Sequence, residues 1–152
     1  QLALRDQLGQ YAQALRAAGR ASEVEPVVQV ARDEVAAARR DGMQSPIVDL
    51  LEAELAAWDG DRATALRLLP RGLMVEPFLA TVEDDPVYAS LRDDAGFRGA
   101  IASEQERRAQ LRTRFLRAAC ARPAQAKWHP AAAHCNDPGS PAASAGNVGS
   151  GR

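Results

Sequence analysis

The chain has 152 residues, 46% of them apolar but only 5% aromatic, and a formal net charge of −1. That is room for one ordinary domain with a thin core of Leu, Val and Ile, because much of the apolar share is alanine, which buries little area. No apolar run approaches the roughly 18 residues of a membrane span, no basic-then-apolar leader is present, and two cysteines are too few for a disulfide framework.

Charge is unevenly distributed: residues 1–94 hold 17 acids against 10 bases, and residues 95–152 hold 3 against 9. The chain opens at Gln1 without a methionine and inside a helical pattern, which leads us to expect further sequence before it. Leu4, Leu8, Tyr11 and Leu15 recur at three- and four-residue steps and predict a helix closed by Gly19. Ser22 and Glu25 have capping-box spacing for the next helix, with Pro26 near its fourth position. Val24, Val27, Val28, Ala31, Val35 and Ala38 form its apolar stripe, and Gly42 closes it, with Arg39 and Arg40 suited to the C-terminal dipole.

Ser45 and Pro46 predict the cap and first-turn proline of a third helix, whose apolar face is Ile47, Leu51, Leu55 and Trp58. Asp59 and Gly60 make a turn, and Ala63, Leu66, Leu69 and Leu73 mark a fourth helix that Pro70 should kink or split. The segments Leu15–Ala21 and Leu55–Ala63 are alike, with Gly19 and Gly60 about one helix pair apart, the period of stacked helical hairpins.

Gly60, Ala65, Leu69, Gly72 and Pro77 resemble the second half of a tetratricopeptide repeat: turn glycine, small, large apolar, small, terminal proline. Asp85, Pro86, Tyr88, Leu91, Arg92, Asp94 and Phe97 resemble the closing element that follows such repeats in bacterial multidomain regulators, with Ala95 and Gly96 where the second proline and its neighbour usually stand. The resemblance covers roughly residues 45–117 and implies an all-α fold, a superhelix fragment of stacked hairpins with a C-terminal capping helix. It also implies a non-catalytic role: protein–protein interaction or regulatory scaffolding in a larger bacterial protein, with a protein or peptide as partner.

Candidate chemistry is sparse. The paired carboxylates Asp84–Asp85 and Asp93–Asp94 suit acid–base work in principle, but Asp85 before Pro86 reads as a helix cap, and Asp94 as the cap of the next helix. Both histidines, His129 and His134, lie near the C-terminus, so the helical body has no imidazole, and no phosphate-binding loop, nucleophile elbow or H-E-x-x-H motif occurs. Cys120, His129, His134 and Cys135 are the ligand types zinc prefers, but without a compact spacing.

The helix expected over Arg98–Ala119 carries Arg98, Arg107, Arg108, Arg112, Arg114 and Arg117, and an apolar face of Phe97, Ile101, Leu111 and Phe115 interrupted by Glu104 and Arg108. We read it as a capping helix attracted to the acidic residues 76–94, and Trp58 and Tyr11 as core rather than groove. The expected organisation is a helical-repeat domain over 1–119 and a disordered Ala/Pro/Gly/Ser-rich tail over 120–152. We expect no catalytic, cofactor-binding or metal-binding residues, no cofactor, no nucleic-acid contact by this acidic module, no membrane span, and a cytoplasmic rather than periplasmic location. Two alternatives stand beside this: a sensory domain fused to an upstream DNA-binding or cyclase domain, and a small zinc-binding protein using the tail.

Overall fold

The structure is a computed structural model and describes residues 8–75 and 79–120. Among these, every regular element is helical: α1 (Leu8–Ala17), α2 (Val24–Arg40), α3 (Pro46–Trp58), α4 (Arg62–Gly72), α5 (Leu79–Asp84) and α6 (Ala95–Cys120), with 3₁₀ turns at Ala21–Glu23 and Pro86–Leu91. The chain forms two compact units, Gln1–Glu104 and Gln105–Arg152.

The first three helices end in the same way. Gly19, Gly42 and Gly60 all have positive φ, which side chains with a Cβ rarely adopt. The next amide then reaches back to satisfy a free carbonyl: Arg20 to Leu15, Met43 to Ala38, Asp61 to Ala56. Helix starts are fixed by side chains. Ser45 Oγ accepts from the Ile47 amide at 3.4 Å with Pro46 in first position, and Asp61 accepts from the Thr64 amide at 3.1 Å.

The start of α2 departs from expectation. The box of Ser22 and Glu25 does not form; Glu23 is the cap residue and makes no side-chain cap bond. Starting at Val24 puts Pro26 at the third helical position, where the amide it lacks would have had no partner inside the helix. Glu23 pairs with Arg20 instead, 2.5 Å away.

The expected stripe of α2 packs inward: Val24, Val28, Ala31, Val35 and Ala38 are buried. They join Ala12 and Leu15 of α1 and Val48, Leu51 and Leu55 of α3 in one cluster. A second cluster gathers Leu50, Ala56 and Ala57 of α3, Ala65 and Leu69 of α4, Leu73, and Val82, Val87, Tyr88, Leu91, Phe97 and Ile101. Helix α3 therefore contributes to both, and is buried on more than the single face the sequence suggested. Trp58, as expected, packs as core and touches both clusters, whereas Tyr11 is 47% exposed.

Helix α4 runs unbroken through Pro70 and ends two residues later, so the proline stands in the last turn and does not split the helix. Ala63, expected on the inner face, is exposed. Gly72 lies against α3 so closely that a Cβ there would sit 2.7 Å from the Leu50 Cα.

Asp85 and Asp94 act as caps. Asp85 accepts from the Val87 amide at 2.9 Å; Asp94 accepts from Gly96 and Phe97 at 2.5 and 3.2 Å. Arg92 closes the end of α5 by donating to the carbonyls of Glu83, Asp84 and Asp85. Asp94 forms its ion pair with Arg62 of α4, not with the basic helix. On α6, Phe97 and Ile101 are buried as expected, but Leu111 and Phe115 are 48% and 50% exposed, and Glu104 is buried.

Candidate functional site

A cavity of about 340 Å³ lies in the first unit where the end of α2, the loop after it, the start of α3 and the end of α4 converge. Its lining is mostly charged: Arg39, Asp49, Glu52, Arg67 and Arg71, with Met43 and Leu68 supplying apolar wall. Local structure explains the convergence. Asp49 and Glu52 are three residues apart on α3, Arg67 and Arg71 four apart on α4, and each spacing puts its pair on one helix face.

Arg39 stands in the last turn of α2, and its guanidinium crosses to α3. Its Nη2 donates to Asp49 Oδ1 and Glu52 Oε2, both at 2.6 Å, Nε donates to Glu52 Oε2 at 2.8 Å, and Nη1 to the Met43 carbonyl at 3.1 Å. The hydrogen bond to Asp49, and after it the hydrogen bond to Glu52, hold Arg39 still more firmly protonated than a free guanidinium, against the opposing effect of burial. On the other side, Arg71 Nε lies 3.2 Å from Asp49 Oδ2 and Nη2 donates to the Gln44 carbonyl at 3.0 Å.

Asp49 is 3% exposed, and a carboxylate so buried is costly unless paired. Here two arginines from different helices flank it, so the three helices are cross-linked by charge at this corner. Three guanidinium groups and two carboxylates line the cavity, and the charge of Arg67 also acts on Asp61 at the start of α4. Arg67 has no ion pair among the described residues.

Elsewhere, ion pairs have structural roles. Arg32 bridges Glu25 and Asp59 at 2.6 Å each, tying α2 to the end of α3, and the Arg16 guanidinium stacks 4.5 Å above the Trp58 ring. Burial raises the Asp85 carboxyl above its ordinary range, opposed by the Val87 amide and the charge of Arg92. A carboxylate whose oxygen accepts the first amide of a turn is committed to capping, and Asp85 and Asp94 are both so used.

The cavity is absent from the sequence reading. Spacing alone assigns Arg39 to the helix dipole and gives Asp49, Glu52, Arg67 and Arg71 no role. The available signal is Asp49 itself, a carboxylate in the apolar run Ile47–Leu51.

Of the zinc ligand set, only Cys120, the last residue of α6, is among the described residues; His129, His134 and Cys135 lie outside them. Among the described residues no three His, Cys, Asp or Glu side chains are grouped to hold a metal ion, and no helix is long and apolar enough to cross a membrane. Comparison with protein-family models, curated proteins and solved structures returns no match.

Proposed function

We propose that this chain is a non-catalytic protein–protein interaction module, a tetratricopeptide-like run of helical hairpins serving as a regulatory scaffold in a larger bacterial protein. The observation that carries the reading is the repeated hairpin architecture of the first unit. Hairpins α1–α2 and α3–α4 both turn on a positive-φ glycine, as does the link between them, and α3 contributes to both apolar clusters, the first shared with α1 and α2 and the second with α4 and residues Val82–Ile101. Such units stack into scaffolds whose side chains are free to recognise partners, because the core is satisfied by the repeats themselves. The charged side chains of the cavity are largely tied to one another in ion pairs, which favours recognition of a charged segment over bond-making chemistry.

The test is selection from a random peptide display library on the intact chain, with the enriched peptides measured by titration calorimetry. Convergence on a shared motif that binds with one-to-one stoichiometry supports the module. Failure to enrich any peptide above an unrelated helical control protein removes it.

A further inference from the structure

The arginines of the cavity are unequally occupied. Arg39 spends Nε, Nη1 and Nη2 on Glu52, Asp49 and the Met43 carbonyl. Arg71 Nε forms an ion pair with Asp49 Oδ2 at 3.2 Å but no hydrogen bond, Nη2 donates to the Gln44 carbonyl, and its side chain is 53% exposed. Arg67, one turn before Arg71 on the same face of α4, is exposed and has no ion pair among the described residues. Asp49 and Glu52 are flanked by Arg39 and Arg71, so Arg67, whose charge also acts on Asp61 at the start of α4, is the guanidinium of the lining that stands outside this network.

We infer that Arg67 and Arg71 receive the side-chain carboxylate of an acidic segment in a partner protein, with Met43 and Leu68 accommodating the methylenes that carry it. The volume of about 340 Å³ falls at the lower end of ligand cavities, sufficient for one acidic side chain and its backbone but not for a folded element. Arg71, already braced by its ion pair with Asp49 and its hydrogen bond to the Gln44 carbonyl, offers a carboxylate a charge-assisted donor at small ordering cost, and Arg67 beside it adds positive charge. The cavity takes one carboxylate of an acidic segment at a time, a group with a single negative charge. A phosphate monoester carries about −1.5 to −2 at neutral pH, and the carboxylates of Asp49 and Glu52 oppose the excess. This assignment rests on the interaction-module reading and names the chemistry of its partner.

The test uses the full chain and three probes: an acetylated, amidated tetraglutamate peptide, the matching tetraglutamine peptide, and inorganic phosphate. Binding is followed at low ionic strength through the arginine Nε–H resonances, where screening is least. Tetraglutamate is expected to shift Arg67 and Arg71 saturably, and tetraglutamine to shift neither. Arg67→Gln, which breaks no ion pair, is expected to weaken binding about tenfold. Arg112→Gln, the same change of net charge outside the cavity, is expected to alter it by less than about twofold.

Equal binding by Arg67→Gln and the wild type, equal loss in Arg112→Gln, unshifted Arg67 and Arg71, or tighter binding of phosphate than of tetraglutamate would each overturn the assignment. Display-selected peptides that bind elsewhere while tetraglutamate leaves Arg67 silent would sink the cavity and keep the module. Tetraglutamate seated at Arg67 with no selected peptide would keep the carboxylate site and remove the module.

Discussion

At Gly72 the backbones of α3 and α4 approach so closely that no side chain fits between them: a Cβ would meet the Cα, Cβ and N of Leu50 at 2.7 to 2.9 Å. Backbone atoms cannot swing aside as the tip of a flexible side chain can, so α4 must move as a body. Gly72→Ala is expected to lower the unfolding free energy by about 1–3 kcal/mol, the usual cost of overpacking, despite the better helix propensity of alanine. Gly99 is the control. It lies inside α6, where a methyl group would meet nothing within 4 Å, and Gly99→Ala is expected to raise stability by about 0.5–1 kcal/mol through the unfolded chain. Urea unfolding of both variants measures the two signs; a neutral Gly72→Ala would show that α3 and α4 do not pack so tightly.

The caps that start the helices can be separated from one another by pH. The Asp61 carboxyl is held below its ordinary value of 3.8, first by the Thr64 side chain and then by the Thr64 amide. A folded-state value below the unfolded one gives stability that is fully present above the unfolded value and is lost as pH falls through the folded value. Asp61→Asn keeps an acceptor at the start of α4 but does not titrate, so the gap in urea midpoint between the two proteins is expected to close as pH falls below about 3.8. A gap that stays constant down to that range would mean the charge of Asp61 is irrelevant to the cap. Elements of this kind are legible in the sequence: Gly19, Gly42 and Gly60 end their helices, Ser45 with Pro46 begins one, and Asp85 and Asp94 cap as expected. Local chemistry decides such features, and local chemistry is what a sequence displays. The extent to which α3 is buried is not legible, because periodicity points to one face of Ile47, Leu51, Leu55 and Trp58 while Val48, Leu50, Ala53, Ala56 and Ala57 fill the other sides. The cavity is not legible either. Arg39, Asp49 and Arg71 come together only when three helices pack, and no spacing along the chain announces that.

Within the first unit, two apolar clusters share one helix and one tryptophan, so the loss of either strips packing from α3 and Trp58, on which the other also depends. Leu69→Ala, at a fully buried position of the second cluster, is expected to cost about 2–5 kcal/mol. The loss should be felt across both clusters: native-state hydrogen exchange is expected to show the amides of Val28 and Leu73 losing protection together. Loss confined to Leu73 would show that the clusters unfold independently. The same sharing bears on how this polypeptide could be cut. Residues Asp41–Gln44 form an exposed link between α2 and α3, while everything α3 presents to α2 in the shared cluster is dry. Severed at Met43, the chain would yield two incomplete pieces with mating surfaces, one offering Val28, Ala31 and Val35 and the other Val48, Leu51 and Leu55. We expect those pieces to reassociate when mixed, restoring the Arg39–Asp49 contact and so reporting the proximity of whatever each half is fused to.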